Sequence, residues 1–288
     1  MSPIIACIAG EEIYRQWEAR RLAGQRLGSR TTPFGQSSEV FLVDGPGAGF
    51  YLMPRCQAGI AKPAPFKVNS RANMYALKDL GVQAVLGWGP AGAITHNLSV
   101  GDLVILSDVI DFTHLRAKTF FEDSPLGYLR QFPVFCPSLC TLASQVLTVL
   151  KLAHHQNGTA AICDGPRLET PAEVRMLATM GSELVTHIFA PEVFLAKELQ
   201  LCYAAVSYIV NYAETGSRHR PFEAGELFAG LTRRSDNHKL STVIGSIIDV
   251  VGGIATAAQG HPRICECDKT MEHNIRTYKL DADWHKWF

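Results

Sequence analysis

The most restrictive feature of the sequence is an alternation. Short runs of apolar and β-branched residues, too brief for helices, are separated by longer segments whose apolar residues recur at helical spacing. Runs at 4–8, 40–43, 49–53, 84–86, 103–109, 159–163, 184–189 and 204–211 read as strands. Between them, 69–80 keeps its apolar residues on one helical face, 170–180 opens with Thr170-Pro171 as N-cap and first helical residue, and 191–201 opens with Pro191. Strands joined by crossover helices build an α/β domain around a mixed, mainly parallel sheet flanked by helices. In open sheets of this class ligands bind beyond the carboxyl ends of the strands. The segments that matter for function are therefore 10–12, 54–65, 87–94, 164–170, 186–192 and 211–216.

The 288 residues suffice for one large core, and composition does not shift before about residue 260. Residues 1–259 thus read as a single α/β domain and 260–288 as an appended tail, whose Trp284, Trp287 and Phe288 are expected to pack back on the body. Lys and Arg total 27, as do Asp and Glu, so the chain lacks the positive field that nucleic acid or an anionic membrane surface requires. A small molecule is the expected partner. The opening residues lack the basic flank of a secretory leader, and the apolar stretch 242–258 is broken by Asp249, Gly252 and Gly253 before it reaches spanning length. A cytoplasmic protein is expected. The eight cysteines read as reduced thiols. Cys265-x-Cys267 near His261 is half of a metal-binding pattern, but two thiols on an otherwise ordinary tail favour a structural role, and no metal is expected.

Three segments carry candidate chemistry. Gly10-Glu11-Glu12 sets carboxylates at a turn after the first strand, where a solvated turn accounts for them equally well. The run 87–93, Gly-Trp-Gly-Pro-Ala-Gly-Ala, reads as a glycine-rich loop that lets backbone amides approach a ligand, and it matches neither phosphate-loop nor dinucleotide fingerprints. Trp88 within it could stack on a base or fill core space. In Asp164-Gly165-Pro166-Arg167-Leu168-Glu169-Thr170-Pro171-Ala172-Glu173, Glu169 is either an acceptor aimed at a pocket or a first-turn acid facing the helix dipole, and the dipole reading is favoured on physics alone.

Residues 165–173, together with Pro191-Glu192-Val193-Phe194-Leu195-Ala196-Lys197-Glu198, resemble the trimeric purine nucleoside phosphorylase and methylthioadenosine phosphorylase family. Thr32-Pro33-Phe34-Gly35-Gln36-Ser37-Ser38, Lys67-Val68-Asn69-Ser70-Arg71-Ala72-Asn73, Gly101-Asp102-Leu103-Val104, Asp111-Phe112-Thr113 with Arg116, and Val210-Asn211-Tyr212 agree with it in order and spacing, over residues 4–255. The resemblance implies cleavage of the N-glycosidic bond of a purine or 5′-methylthio-purine nucleoside by a pentosyltransferase of purine salvage. Phosphate would be co-substrate, no cofactor would be needed, and the assembly would be a homotrimer in which residues 114–121 close a neighbour's site. Base contacts fall by resemblance on Glu169, Asn211, Leu168 and Ala91, and sugar contacts on Thr186 and His187. Glu169 matches a glutamate that accepts from the N1–H of 6-oxopurines, which suits hypoxanthine or guanine better than adenine.

The phosphate positions depart from the family pattern. Where the family gathers the anion with hydroxyls and an Arg-His pair, this chain has Glu11, Arg55-Cys56, Gly89 and Ile188. Chemistry is thus expected from Glu11, Arg55 and Asn211, in one of three forms. Three readings stay open because a carboxylate at Glu11 would repel a dianion in a dry pocket: the enzyme is a phosphorylase with a rearranged phosphate site, or Glu11 or Glu12 activates water in a hydrolytic nucleosidase, or the chain is a silent purine binder.

Overall fold

The computed structural model describes residues 4–10, 23–44, 48–56, 63–213, 237–259 and 264–288. In chain order these form β1 (Ile5–Ala9), β2 (Gly24–Thr32), β3 (Gly35–Val43), β4 (Phe50–Pro54), α1 (Ser70–Asp79), β5 (Ala84–Ala93), β6 (Leu103–Asp111), α2 (Pro137–Val149), β7 (His154–Ile162), α3 (Pro171–Thr179), β8 (Leu184–Thr186), α4 (Glu192–Glu198), β9 (Cys202–Tyr212), α5 (Asn237–Gly245), α6 (Ile247–Ala258) and α7 (Glu272–Tyr278).

Strand β1 is buried at every residue because it lies between parallel neighbours, β4 and β5, with helices on both faces. Its alternate side chains enter different cores. Ala6 and Ile8 join a cluster with Met74 and Leu77 of α1 and Val193 and Leu195 of α4, whereas Ile5, Cys7 and Ala9 join one with Leu139 and Leu147 of α2 and Ile247 and Val251 of α6. Each fully buried Ile or Leu in these layers contributes on the order of 1.5–3 kcal/mol. Helix α6 is short, and among the described residues no helix is long and apolar enough to cross a membrane.

The sheet runs β2-β3-β4-β1-β5-β8-β7-β6-β9, and β9 also pairs with β5, so five strands close into a ring from which the other four extend. The hinge of this arrangement is β5. One of its edges pairs with β9 from Ala84 to Ala93, while the other pairs with β1 over its first half and with β8 at Gly92 and Ala93. This corrects the reading of 87–94 as a loop: nearly all of it is strand. Its glycines serve close packing. A Cβ at Gly92 would stand 2.6 Å from Asn211 Oδ1 on β9, and one at Gly89 would collide with the Ile188 side chain. Trp88 is fully buried beside Tyr208 and fills core space, which decides against base stacking.

Helix starts follow local chemistry. The Asn69 side chain caps α1 by accepting from Ala72 N–H, and Thr170 and Glu173 form a reciprocal capping box at α3 with Pro171 next to the cap. Besides α5, α6 and α7, apolar periodicity left two elements of the central region unmarked, β2 and α2. The first is a polar strand with no buried residue, tied to β3 by a two-residue turn at Pro33-Phe34. The second begins at Pro137 and packs its Leu139, Ala143 and Leu147 against the second core. Strand β8 ends at Thr186, three residues short of the expected 184–189, because the chain turns at Phe189, whose φ is +77°. That left-handed conformation costs a non-glycine residue about 1–3 kcal/mol, and it persists because the ring is wholly buried and the carbonyl accepts from Val193 N–H at the start of α4.

The tail packs on the body as expected. Phe288 stacks on Phe121 with ring centroids 5.3 Å apart and meets Phe34 and Phe120, and Met271 is fully buried.

Candidate active site

The carboxyl ends of β7 and β8 bring Glu169 and His187 together. After β7 the chain passes through Cys163 and Asp164 to a left-handed Gly165, over which the His187 ring lies so closely that a Cβ there would be 3.1 Å from its Cγ. His187 Nδ1 stands 3.2 Å from the Cys163 carbonyl and 4.0 Å from Glu169 Oε1. The carbonyl is the nearer partner. Donation to it from Nδ1 favours the tautomer in which Nε2 is the acceptor. The Glu169 side chain is 9% exposed and opens onto a cavity of about 270 Å³ lined by Phe112, Cys163, Asp164, Gly165, Arg167 and Glu169 among others. Burial and then the Glu169 carboxylate push the Cys163 thiol up to about 12, so Cys163 is a neutral lining group.

Glu169 is not a first-turn helix acid. The N-cap is Thr170, which leaves Glu169 outside α3, and the dipole-facing acid is Glu173. Arg167 is also accounted for. It forms two bonds to Glu173, at 2.7 and 2.8 Å, and leaves the Glu169 carboxylate to the pocket. Leu168 beside it is exposed rather than folded into a base slot. Asn211, near the end of β9, is buried opposite Gly92, and Ala91 is buried two residues from the end of β5. Thr186 Oγ1 donates to Pro90 O at 2.7 Å, which ties the sugar-side candidates to β5.

The phosphate-side candidates are arranged differently. Arg55, just past β4, is 7% exposed and forms a bidentate pair with Glu192 of α4, from Nε at 2.5 Å and from Nη2 at 3.1 Å. Nη2 further donates to Ile8 O and Nη1 to Trp88 O. Tyr203 completes the group by donating to Glu192 Oε2 at 2.6 Å. Burial opposes the guanidinium charge, yet Glu192 holds the group above its ordinary pKa, and burial followed by Glu192 pushes the Tyr203 hydroxyl well above its own. Gly89 backs onto Ile188, and the Phe189 ring lies 5.8 Å from the Arg55 guanidinium carbon. Cys56, next to Arg55, is half-buried. The expected anion-collecting arginine is thus committed to protein groups. Glu11 and Glu12 lie outside the described residues.

Several residues of this neighbourhood escape sequence reading. Glu192 and Tyr203 could not be matched to Arg55, because the Arg55–Glu192 pair spans 137 positions; the available signal was a single arginine in an apolar setting, which demands a buried acid. Arg116 was marked only as a motif residue. It donates to the carbonyls of Cys163, Asp164 and Ala190, fastening residues 112–121 to the rim of its own chain's cavity.

Comparison with known proteins bears on the family and the fold. A profile described as the phosphorylase superfamily matches residues 56–235. A probable S-methyl-5'-thioinosine phosphorylase of Methanothermobacter thermautotrophicus is 36% identical over 211 residues, 73% of this chain and 72% of that protein. A probable 6-oxopurine nucleoside phosphorylase of Dictyoglomus turgidum is 36% identical over 233 residues, 80% of this chain and 85% of that protein. A methylthioadenosine phosphorylase from an antarctic soil metagenomic library superposes with a TM-score of 0.80 at 22% identity, over 93% of this chain and 91% of that one.

Proposed function

The chain belongs to the phosphorylase superfamily, and from that premise we propose that it cleaves the N-glycosidic bond of a 6-oxopurine nucleoside or its 5′-methylthio analogue, passing the pentosyl group to phosphate. The observation that carries the reading is Glu169: a largely buried carboxylate, outside the helix that follows it and not engaged by Arg167, at the mouth of a cavity at strand carboxyl ends. Acting on a 6-oxopurine, it accepts the ring N1–H. The relatives named for thioinosine and 6-oxopurine substrates support that choice.

The chemistry follows from charge flow. As the C1′–N9 bond breaks, its electron pair moves onto the purine while the sugar becomes oxocarbenium-like, and a phosphate oxygen then bonds to C1′. The Asn211 amide donates to N7, where negative charge develops; a donor aimed at such charge in a dry site is worth about 2.7–4 kcal/mol. Thr186 and His187 face the sugar, and Arg55 with the backbone near Gly89 borders the nucleophile. Phosphate is the one co-substrate this reaction uses. A homotrimer in a cytoplasmic setting belongs to the same reading: Leu115, Tyr128 and Phe132 are exposed large apolar side chains in and just beyond the segment assigned to a neighbour's site.

One observation favours a second reading. With Arg55 bound to Glu192 and Ile188 beside Gly89, the anion side is apolar and its charge internally compensated, which suits water as nucleophile. The test is base release from inosine, 5′-methylthioinosine and 5′-methylthioadenosine with and without phosphate, with the sugar product identified. Phosphate-dependent release yielding a sugar 1-phosphate is expected. Free sugar formed without phosphate would replace phosphorolysis by hydrolysis, and no release from any of the three would leave a binding protein.

A further inference from the structure

Two of the eight cysteines lie in the tail and six in the body, and the fold brings two of those six to the tail pair. Cys136 is the cap residue of α2, its N–H donating to Tyr203 O, and Cys202 opens β9, its N–H donating to Gln83 O. Cys265 and Cys267 arrive from the tail. The Cys202 and Cys265 sulfurs are 3.3 Å apart, and all four Sγ atoms lie within 4.8 Å of one another. Cys136 and Cys202 are buried and the tail pair half-buried, so the group sits just beneath the surface.

We propose that Cys136, Cys202, Cys265 and Cys267 form a tetrathiolate site for a structural zinc ion that clips the tail to the body. A zinc ion with four thiolates at about 2.3 Å places its sulfurs about 3.8 Å apart, within the range this group spans. Three of the four cysteines are positioned by hydrogen bonds of their backbones. Cys136 and Cys202 are held by the backbone bonds above, and Thr270 Oγ1, three residues past Cys267, bonds both Cys267 O and Lys197 O. The four sulfurs form one mutual group rather than two separate pairs, which is the arrangement a single central ion requires. Binding releases the thiol protons: one zinc ion and four thiols give a tetrathiolate complex of net charge −2 and four protons. Lys197, buried in α4, donates its amine to Pro133 O, so the helix beside Cys202 is tied to the segment that leads into Cys136. With all four ligands from protein, the ion has no open position and acts as a brace rather than a catalyst.

The consequence reaches the cavity through packing. The clipped tail carries Phe288, which stacks on Phe121, and residues 112–121 are tied by Arg116 to Cys163 and Asp164 at the cavity rim.

The test uses the full chain, purified without chelator, for metal analysis by plasma mass spectrometry, followed by removal of metal under reducing conditions and titration with cobalt(II). One zinc per chain is expected, and cobalt should give intense thiolate-to-metal charge-transfer absorption with tetrahedral d–d bands. Cys265→Ser/Cys267→Ser, which changes only the tail, should lose both signals and lower the Tm to that of the metal-stripped chain. Should that variant fold poorly, Cys267→His keeps a ligand and should shift the cobalt spectrum instead of abolishing it. A reduced, folded wild-type chain that takes up neither metal stoichiometrically would overturn the proposal. So would a non-reducing peptide map showing these four cysteines joined in pairs in protein that carries no metal.

Discussion

The two ends of the candidate site are built on opposite principles. At the base end, Glu169 and His187 meet at a long 4.0 Å contact beside a cavity, each with hydrogen-bonding capacity left over. At the anion end, Arg55, Glu192 and Tyr203 are buried and bonded to each other at 2.5 to 3.1 Å, with two backbone carbonyls absorbing further donors. A polar group with spare capacity at a cavity is available to a ligand, whereas a buried ion pair saturated by its own chain stabilises the position of the elements that carry it. Here those elements are β4, α4 and β9. The contrast teaches that two candidate residues of one site can differ in what they leave open: Glu169 faces a cavity, whereas the donors of Arg55 are already taken by groups of its own chain.

The strongest way to break this comparison is to remove Glu192. Glu192→Ala leaves the Arg55 charge buried without its partner and should cost about 3–5 kcal/mol in urea unfolding, with Arg55→Met/Glu192→Met recovering much of it. If stability does not change, the anion end is not locked. At the base end the loss should fall on activity. Asn211→Ala is expected to reduce kcat/KM for inosine by about 10²–10³-fold with the unfolding midpoint little changed, and a variant that releases base at the wild-type rate would remove Asn211 from the chemistry.

Helix α4 supplies an internal control. Glu198, near its other end, accepts from Thr119 Oγ1 and Phe120 N–H instead of an arginine fork, and burial raises it from 4.5 to about 7 in spite of those bonds. The folded chain therefore binds more protons at Glu198 than the unfolded chain does between about pH 4.5 and 7. Stability is greatest below that window and falls as pH rises through it, by on the order of 3 kcal/mol. Urea midpoints at pH 5 and 8 should show this difference in the wild type, and Glu198→Gln should flatten it. A smaller effect should sharpen the base assignment: Glu169→Gln replaces a charged acceptor and should cost about 1.5–3 kcal/mol for inosine and less for adenosine, seen as a shifted ratio of kcat/KM values. The smallest concerns the apolar anion side, where Ile188→Thr supplies one hydroxyl and should lower the KM for phosphate several-fold, about 1 kcal/mol. A KM for phosphate that stays put would detach Ile188 from the anion site.

Much of the fold was legible because its signals are local. Thr170-Pro171 predicted the start of α3 through a side chain that reaches a backbone N–H within three residues, and the one-sided apolar residues of 69–80 predicted α1. Continuous apolar runs marked β1 and β9, strands covered on both faces. Strand β2 was illegible for the converse reason: polar, without a buried residue and stabilised by pairing with β3, it shows no apolar period. The glycines of 87–93 misled because glycine marks both loops and close packing, and only the neighbours on β9 and at Ile188 distinguish the two. For the site, the residues of the base end lie on segments that sequence reasoning had already marked, whereas the status of Arg55 was beyond its reach.

By itself the sequence determined the alternation of strands and helices, the placement of caps, the neutral surface charge and the likeness to one enzyme family, since these are properties of neighbours in the chain or of the chain as a whole. Tertiary structure alone decided that β5 and β9 close a ring, that Arg55 belongs to Glu192, that Glu169 stands clear of its helix, and that four scattered thiols meet at one point. The physical reason is one of range. Periodicity and capping act over a few residues, but the partner of a buried charge or a sulfur is whichever group packing brings within a few ångströms, however far along the chain it was written.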